Sequence, residues 1–318
     1  MMARPPSTPR TTLPAPPATT ATTAALTALA MVAFAANSLL ARAALKGTGI
    51  DAATFTLVRV ASAALVLGAI LYLRARGDAR DLRHGHGHAH AQMGGDWIGA
   101  VALLVYACGF SFAYLRLAAG TGALVLFASV QATMIGDGLR RGDRLRAAQW
   151  LGIVLALAGL VWLVLPGLQA PPPGATLLMA VAGIGWGVYS LRGRGAPDAL
   201  AATTGNFVRG VPLALAVSVV SVLSVVSRGT VSQLSVDWHG VALAAASGAV
   251  TSGIGYVIWY AALRGLASTT AATVQLSVPV QAALGGIAWL GEPMTARLAV
   301  SAVAILGGIA LVIAARRR

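Results

Sequence analysis

Apolar residues fall in runs of about twenty along this chain, separated by short polar or proline-containing segments. At ~1.5 Å rise per residue, such a run crosses ~30 Å of hydrocarbon. The pattern predicts ten helices, at about 24–44, 52–73, 97–116, 119–139, 147–165, 174–191, 203–226, 238–262, 268–290 and 297–315. Trp97, Trp150 and Trp238 stand where helices begin, a usual place for interfacial tryptophan. The expected fold is an all-α integral membrane protein with about ten transmembrane helices. Residues 1–23 are rich in Pro, Thr and Ala, hold Arg4 and Arg10 and no acid, and read as a disordered cytoplasmic tail. An acid-poor, hydroxyl-rich tail also suits an organellar transit peptide. The linker 166–173, with Pro171, Pro172 and Pro173, divides the chain into halves 24–165 and 174–315 of five helices each, and 316–318 form a basic end.

Composition agrees. Hydrophobic residues make up 57% and charged residues 10%, too few charges to cover a soluble surface. The formal charge of +14 would suggest nucleic acid in a soluble protein, but no polar domain exists here to carry a basic face. The bases lie between the apolar runs and act as topology signals and contacts to anionic lipid. With the N-terminus inside, sixteen Lys and Arg fall on the cytoplasmic side and five (Arg42, Lys46, Arg116, Arg228 and Arg297) on the other. That bias predicts both termini in the cytoplasm and the 166–173 linker outside. Cys108 is the single cysteine, which rules out an intrachain disulfide and a cysteine metal cluster.

The halves resemble each other at a nearly constant offset. Thr54-x-x-x-Val58-Arg59 matches Thr204-x-x-x-Val208-Arg209, and Leu115-Arg116, Ala119, Thr121, Ala123 and Ser129-Val130 match Leu263-Arg264, Ala267, Thr269, Ala271 and Ser277-Val278. Gly142-Asp143 matches Gly291-Glu292. An odd number of helices per half turns the second half upside down. An inverted repeat implies a pseudo-twofold axis in the membrane plane and a site near the midplane where the halves meet.

Over 24–315 the chain resembles the drug/metabolite transporter superfamily, in particular the EamA-like transporters. The resemblance rests on the two five-helix halves, Arg59 in helix two, Ser277-Val278-Pro279-Val280 in helix nine, and Gly291-Glu292-Pro293 before a Gly-rich last helix ending near Gly307-Gly308. The first half departs from the family pattern at Gln131, where the proline motif falls, and at Gly142-Asp143, where Gly-Glu is usual. The resemblance implies a ten-helix inner-membrane carrier of small metabolites, often an exporter. A homodimer is compatible with it, and no cofactor is implied.

Arg59 and Arg209 are the costliest side chains in the spans; each must snorkel, find carbonyls, or face a wet cavity that accepts an anion. Asn37, Gln131, Asn206, Gln275 and Gln281 are the deep amides, suited to interhelical hydrogen bonds or to substrate. Trp186, Tyr189 and Tyr256 are aromatics of the kind that either pack or line metabolite pockets. Glu292 and Pro293 suit the first turn of helix ten, where an acid meets unpaired backbone donors. His84, His86, His88 and His90 alternate in the 74–96 loop; they read as low-complexity linker, with a divalent-metal carrier as the rival reading. No catalytic arrangement is visible, so the chain reads as a carrier and not an enzyme.

Overall fold

The computed structural model describes residues 20–83, 93–142, 144–167, 169–194, 196–228, 236–266 and 268–315. The amino-terminal tail up to 19, His84 to His90, Asp143 and the basic end 316–318 lie outside them. Ten helices among the described residues are long and apolar enough to cross a membrane. They are α1 (Thr20–Gly47), α2 (Ala52–Arg83), α3 (Trp97–Tyr114), α4 (Ala119–Arg140), α5 (Ala147–Val164), α6 (Pro173–Gly193), α7 (Ala199–Ser227), α8 (Trp238–Leu263), α9 (Ser268–Gln275 continued by Ser277–Leu290) and α10 (Ala296–Ala315).

The helix starts explain where the scarce acids went. Asp51, Asp96, Asp198 and Asp237 each accept hydrogen bonds from backbone amides in the first turn of α2, α3, α7 and α8. Four of the nine acidic residues are thus N-caps, which satisfy amides that no preceding carbonyl can reach. Pro173 opens α6 at a position where its missing N–H costs nothing. Gly291, with φ of 64°, ends α9 in the left-handed region.

Several boundaries differ from the sequence reading. α1 begins at Thr20, inside the stretch expected to be tail, because the Thr-Ala run before the first apolar residues tolerates helix. α2 continues to Arg83, well past the apolar run, since Ala, Leu and Arg are good helix formers. The extension is tied down by Arg74 pairing with Asp198 at 2.8 Å and by Arg76 over the Tyr72 ring. α9 breaks at Leu276, where Pro279 cannot donate back to the Gln275 carbonyl; the helix restarts with that proline in its first turn. Helix ten starts at Ala296, so Glu292 and Pro293 precede it instead of opening it.

Large apolar residues such as Leu65, Val220, Leu223 and Val303 are exposed on the outside, where lipid replaces water as solvent, while small residues bring the helices together inside. α5 packs tightly on α10: a Cβ on Gly152 would stand 2.5 Å from the Gly308 carbonyl oxygen. The other extensive contacts pair α3 with α6, α1 with α8, α4 with α6, α1 with α9, α2 with α8, α3 with α7, α2 with α7 and α4 with α9, with smaller ones such as α2 with α3 and α4 with α10. α8 is locally π-helical over Ser247–Ile254. Its Gly248 lies directly against the Arg59 carbonyl and the Ser62 hydroxyl, leaving no room for a side chain. Such a widening of the helix often marks a functional position.

Candidate functional site

Residues from both halves of the chain line one cavity: Phe34, Asn37 and Ser38 of α1, Tyr106 and Phe110 of α3, Leu126 and Phe127 of α4, Trp186 of α6, and Thr251 and Tyr256 of α8. Its enclosed volume is about 20 Å³, room for an ordered water, so a larger guest has to part the walls. The aromatic wall is continuous. Trp186 lies 5.0 Å from Tyr106, 5.1 Å from Tyr256 and 5.4 Å from Tyr189, centroid to centroid, and Phe34 meets Tyr256 edge-on at 5.9 Å. Rings in these tilted and offset arrangements attract each other while leaving flat surfaces for a guest.

Arg59 stands against this wall and is 2% exposed. Its guanidinium carbon is 5.0 Å from the Tyr106 ring centroid and 4.6 Å from that of Phe110. Nη2 donates to the Tyr106 hydroxyl at 2.7 Å and Nε to Ser252 Oγ at 3.4 Å. Nη1 has no acceptor among the described residues, and Arg59 forms no ion pair there. Two ring faces offset part of the cost of burying the charge, and the orphaned N–H pair raises it again. Asn37 completes the polar cluster: its Nδ2 donates to the Tyr106 hydroxyl at 3.1 Å, and its Oδ1 accepts from Ser247 and Thr251.

Arg209, the repeat-mate of Arg59, is used differently. Its Nη1 donates to the Gly94 carbonyl at 2.8 Å, and Asn206 Oδ1 accepts from the Asp96 amide. Together they hold the segment Gly94–Asp96 against α7 at the end of the bundle where α3 begins. Arg192 adds an ion pair with Asp96 at 2.7 Å. Arg209 and Asn206 are therefore not on the cavity wall. Tyr189 is buried, stacks on Trp186 and starts a hydroxyl chain through Thr203 to Tyr260. Gln131 is buried on α4 one turn beyond Phe127. Gln281 donates within its own helix to Ser277, and Gln275 ends the first segment of α9; neither lines the cavity. Pro279 is buried at the restart of α9. His84, His86, His88 and His90 lie outside the described residues, within which no three His, Cys, Asp or Glu side chains come together.

Sequence reasoning missed Tyr106, Phe110, Ser247, Thr251 and Ser252. A tyrosine in the middle of a span needs a partner for its hydroxyl, and that is the signal that points to Tyr106. It also missed the partner of Glu292. Arg42, counted as a flanking base, is buried and donates from Nε to Glu292 Oε1 at 2.9 Å. Its Nη1 reaches the Tyr114 and Leu115 carbonyls, and Glu292 Oε2 accepts the Ala119 amide at 2.7 Å. The acid does meet unpaired helix donors, but those of α4 and not of helix ten.

The family model for the EamA-like transporters matches residues 174–314. The uncharacterized protein PA1977 of Pseudomonas aeruginosa is 50% identical over 284 residues, which cover 89% of this chain and 92% of that protein. The chain belongs to the EamA-like transporter family. As a member with ten membrane-spanning helices, it is a multi-pass membrane transporter of the drug/metabolite type. A crystal structure of another protein has the same fold, with a TM-score of 0.54 at 20% identity over 91% of this chain and 98% of that one.

Proposed function

We propose that the protein exports small organic metabolites, amino acids or related compounds, from the cytoplasm across the inner membrane, by alternating access at the aromatic cavity between two inverted five-helix halves. The observation that carries this reading is Arg59: a buried guanidinium with an uncommitted Nη1, beside a cavity lined from both halves. An unpaired charge at that depth is expensive unless a solute or water meets it.

The helix pairings support the inverted repeat. Adding or subtracting five turns α3–α6 into α8–α1, α4–α6 into α9–α1, and α2–α8 into α7–α3, while α2–α7, α4–α9 and α5–α10 map onto themselves. That is what a twofold relating the halves demands. In this reading the Gly94–Asp96 clamp held by Arg209 and Asn206 closes the cytoplasmic end of the path, and the Arg42–Glu292 pair closes the external end.

Arg59→Ala should abolish protein-dependent export, and Arg59→Lys, which keeps the charge but loses the planar fork, should reduce transport more than abundance. The measurement is an untargeted comparison of medium metabolites from cells with and without the protein, followed by flux of the differing compounds in proteoliposomes. Parent-like transport by Arg59→Ala would remove Arg59 from the site. A medium unchanged by the protein would count against export altogether.

A further inference from the structure

The unspent hydrogen-bonding capacity at the cavity wall has a sign. A phenol has two acceptor lone pairs and one proton. Tyr106 receives Arg59 Nη2 at 2.7 Å and Asn37 Nδ2 at 3.1 Å, so both lone pairs are filled and the proton is left over. The orientation of Asn37 follows from its other end. Ser247 donates to Oδ1 at 2.7 Å, with no second acceptor among the described residues, and Thr251 at 3.1 Å, which turns Nδ2 toward Tyr106. Arg59 Nη1 is also a donor without an acceptor. The cluster's free groups are thus an O–H and an N–H pair, with a positive charge behind them that no carboxylate among the described residues balances. The rest of the wall is mainly aromatic and aliphatic, from Phe34, Phe110, Trp186 and the Tyr256 ring, with the Ser38, Thr251 and Tyr256 hydroxyls as its other polar groups. Aromatic walls can hold organic cations, but here the Arg59 guanidinium already covers Tyr106 and Phe110 and repels a second cation.

We propose that this cavity selects organic anions: a carboxylate on a flat or bulky apolar body, held by the Tyr106 hydroxyl under the field of Arg59, with organic cations rejected. The inference rests on the reading of the cavity as the substrate site and adds the charge and shape of the substrate. Tyr106 is the contact residue, and Arg59 and Asn37 orient and polarise it.

The test uses the full chain in lipid nanodiscs and three probes of matched shape: radiolabelled phenylacetate, with neutral phenylacetamide and cationic phenethylammonium as competitors. Phenylacetate should bind at least about tenfold more tightly than either, the worth of one charge-assisted hydrogen bond. Tyr106→Phe keeps the ring and should lose about that factor for phenylacetate and less for phenylacetamide, whose neutral carbonyl accepts a weaker hydrogen bond. Arg59→Gln should erase the preference for the anion. Equal or tighter binding of phenethylammonium, parent-like binding by Tyr106→Phe, or no phenylacetate binding at millimolar concentration would each overturn the proposal. If protein-dependent metabolite export persists in that event, only the charge selection falls; if export is absent as well, the reading of the cavity falls with it.

Discussion

Two buried arginines show how differently one side chain can be accommodated inside a bilayer. Arg42 has the Glu292 carboxylate at Nε and the Tyr114 and Leu115 carbonyls, at the end of α3, at Nη1. Arg59 has the Tyr106 hydroxyl, a weak contact with a serine, two ring faces and, among the described residues, no acceptor at Nη1. The first arrangement holds structure and the second leaves capacity for a ligand. Glu292 ties together α1, the start of α4 and the end of α9, and its Oε2 lies where a side chain on Gly286 would stand. Glu292→Ala should therefore cost about 3–5 kcal/mol, because it strands a buried guanidinium and uncaps α4. Replacing both partners, Arg42→Met with Glu292→Leu, should recover much of that loss. Thermal unfolding of the purified variants in detergent measures both; an unshifted Glu292→Ala would show that the pair carries no load. In the sequence Glu292 was legible as an acid serving a helix terminus, but its helix was not, because the partners lie 173 and 250 positions away and only packing brings them near.

At the scale of the element, helix ends and helix faces follow separate rules, and each can be tested alone. Asp96 caps α3 and pairs with Arg192. The Arg192 side chain, and then the Gly99 amide, hold its carboxyl below the usual carboxylate range. A depressed folded-state pKa gives a contribution that is present above the unfolded value and lost as pH falls through the folded one. Asp96→Ala should cost about 1 kcal/mol near neutral pH, nearly all from the cap, since the half-exposed ion pair adds little. Asp96→Asn keeps a cap and should cost less. The gap between the parent and Asp96→Ala should hold down to roughly pH 4 and narrow only below it, as unfolding midpoints across pH would show. On the α5–α10 face, adjacent glycines of α10 should diverge. A side chain on Gly308 would run into the Gly152 carbonyl, whereas Gly307 faces open space. Gly308→Ala should push α10 off α5 and lower the yield of folded protein, while Gly307→Ala should stabilise by up to ~1 kcal/mol through helix propensity. Equal behaviour of the two variants in fluorescence-detected gel filtration would contradict the packing. The apolar runs gave the number of helices, but the break at Leu276 and the π-helical Ser247–Ile254 depend on hydrogen bonds that a hydropathy pattern does not encode.

For the whole molecule, hydropathy sufficed for ten spans because lipid demands that every backbone donor be satisfied within its own helix. The convergence of Asn37, Trp186, Tyr256 and Arg59 was legible only as separate costly or aromatic residues, since helix order along the chain does not say which faces meet. Orientation is a third kind of information, carried by loop charge. Arg42 on the side counted as external and Arg74, Arg141 and Arg192 on the other are paired with acids, which leaves the bias of sixteen against five in the same direction. Chain direction sets α2's last turns and the segment between α5 and α6 at opposite ends of the bundle, whichever way up it sits. The charge bias then predicts Arg80 in the cytoplasm and Gln169 outside. Cys108 is the only native cysteine, so a Cys108→Ala background is free of other thiols. In it, Gln169→Cys should react with a membrane-impermeant maleimide in intact cells, and Arg80→Cys should react only after permeabilisation. The reverse pattern would turn the molecule over, exchange the cytoplasmic and external gates, and make the Gly94–Asp96 clamp the door through which a substrate leaves the cell.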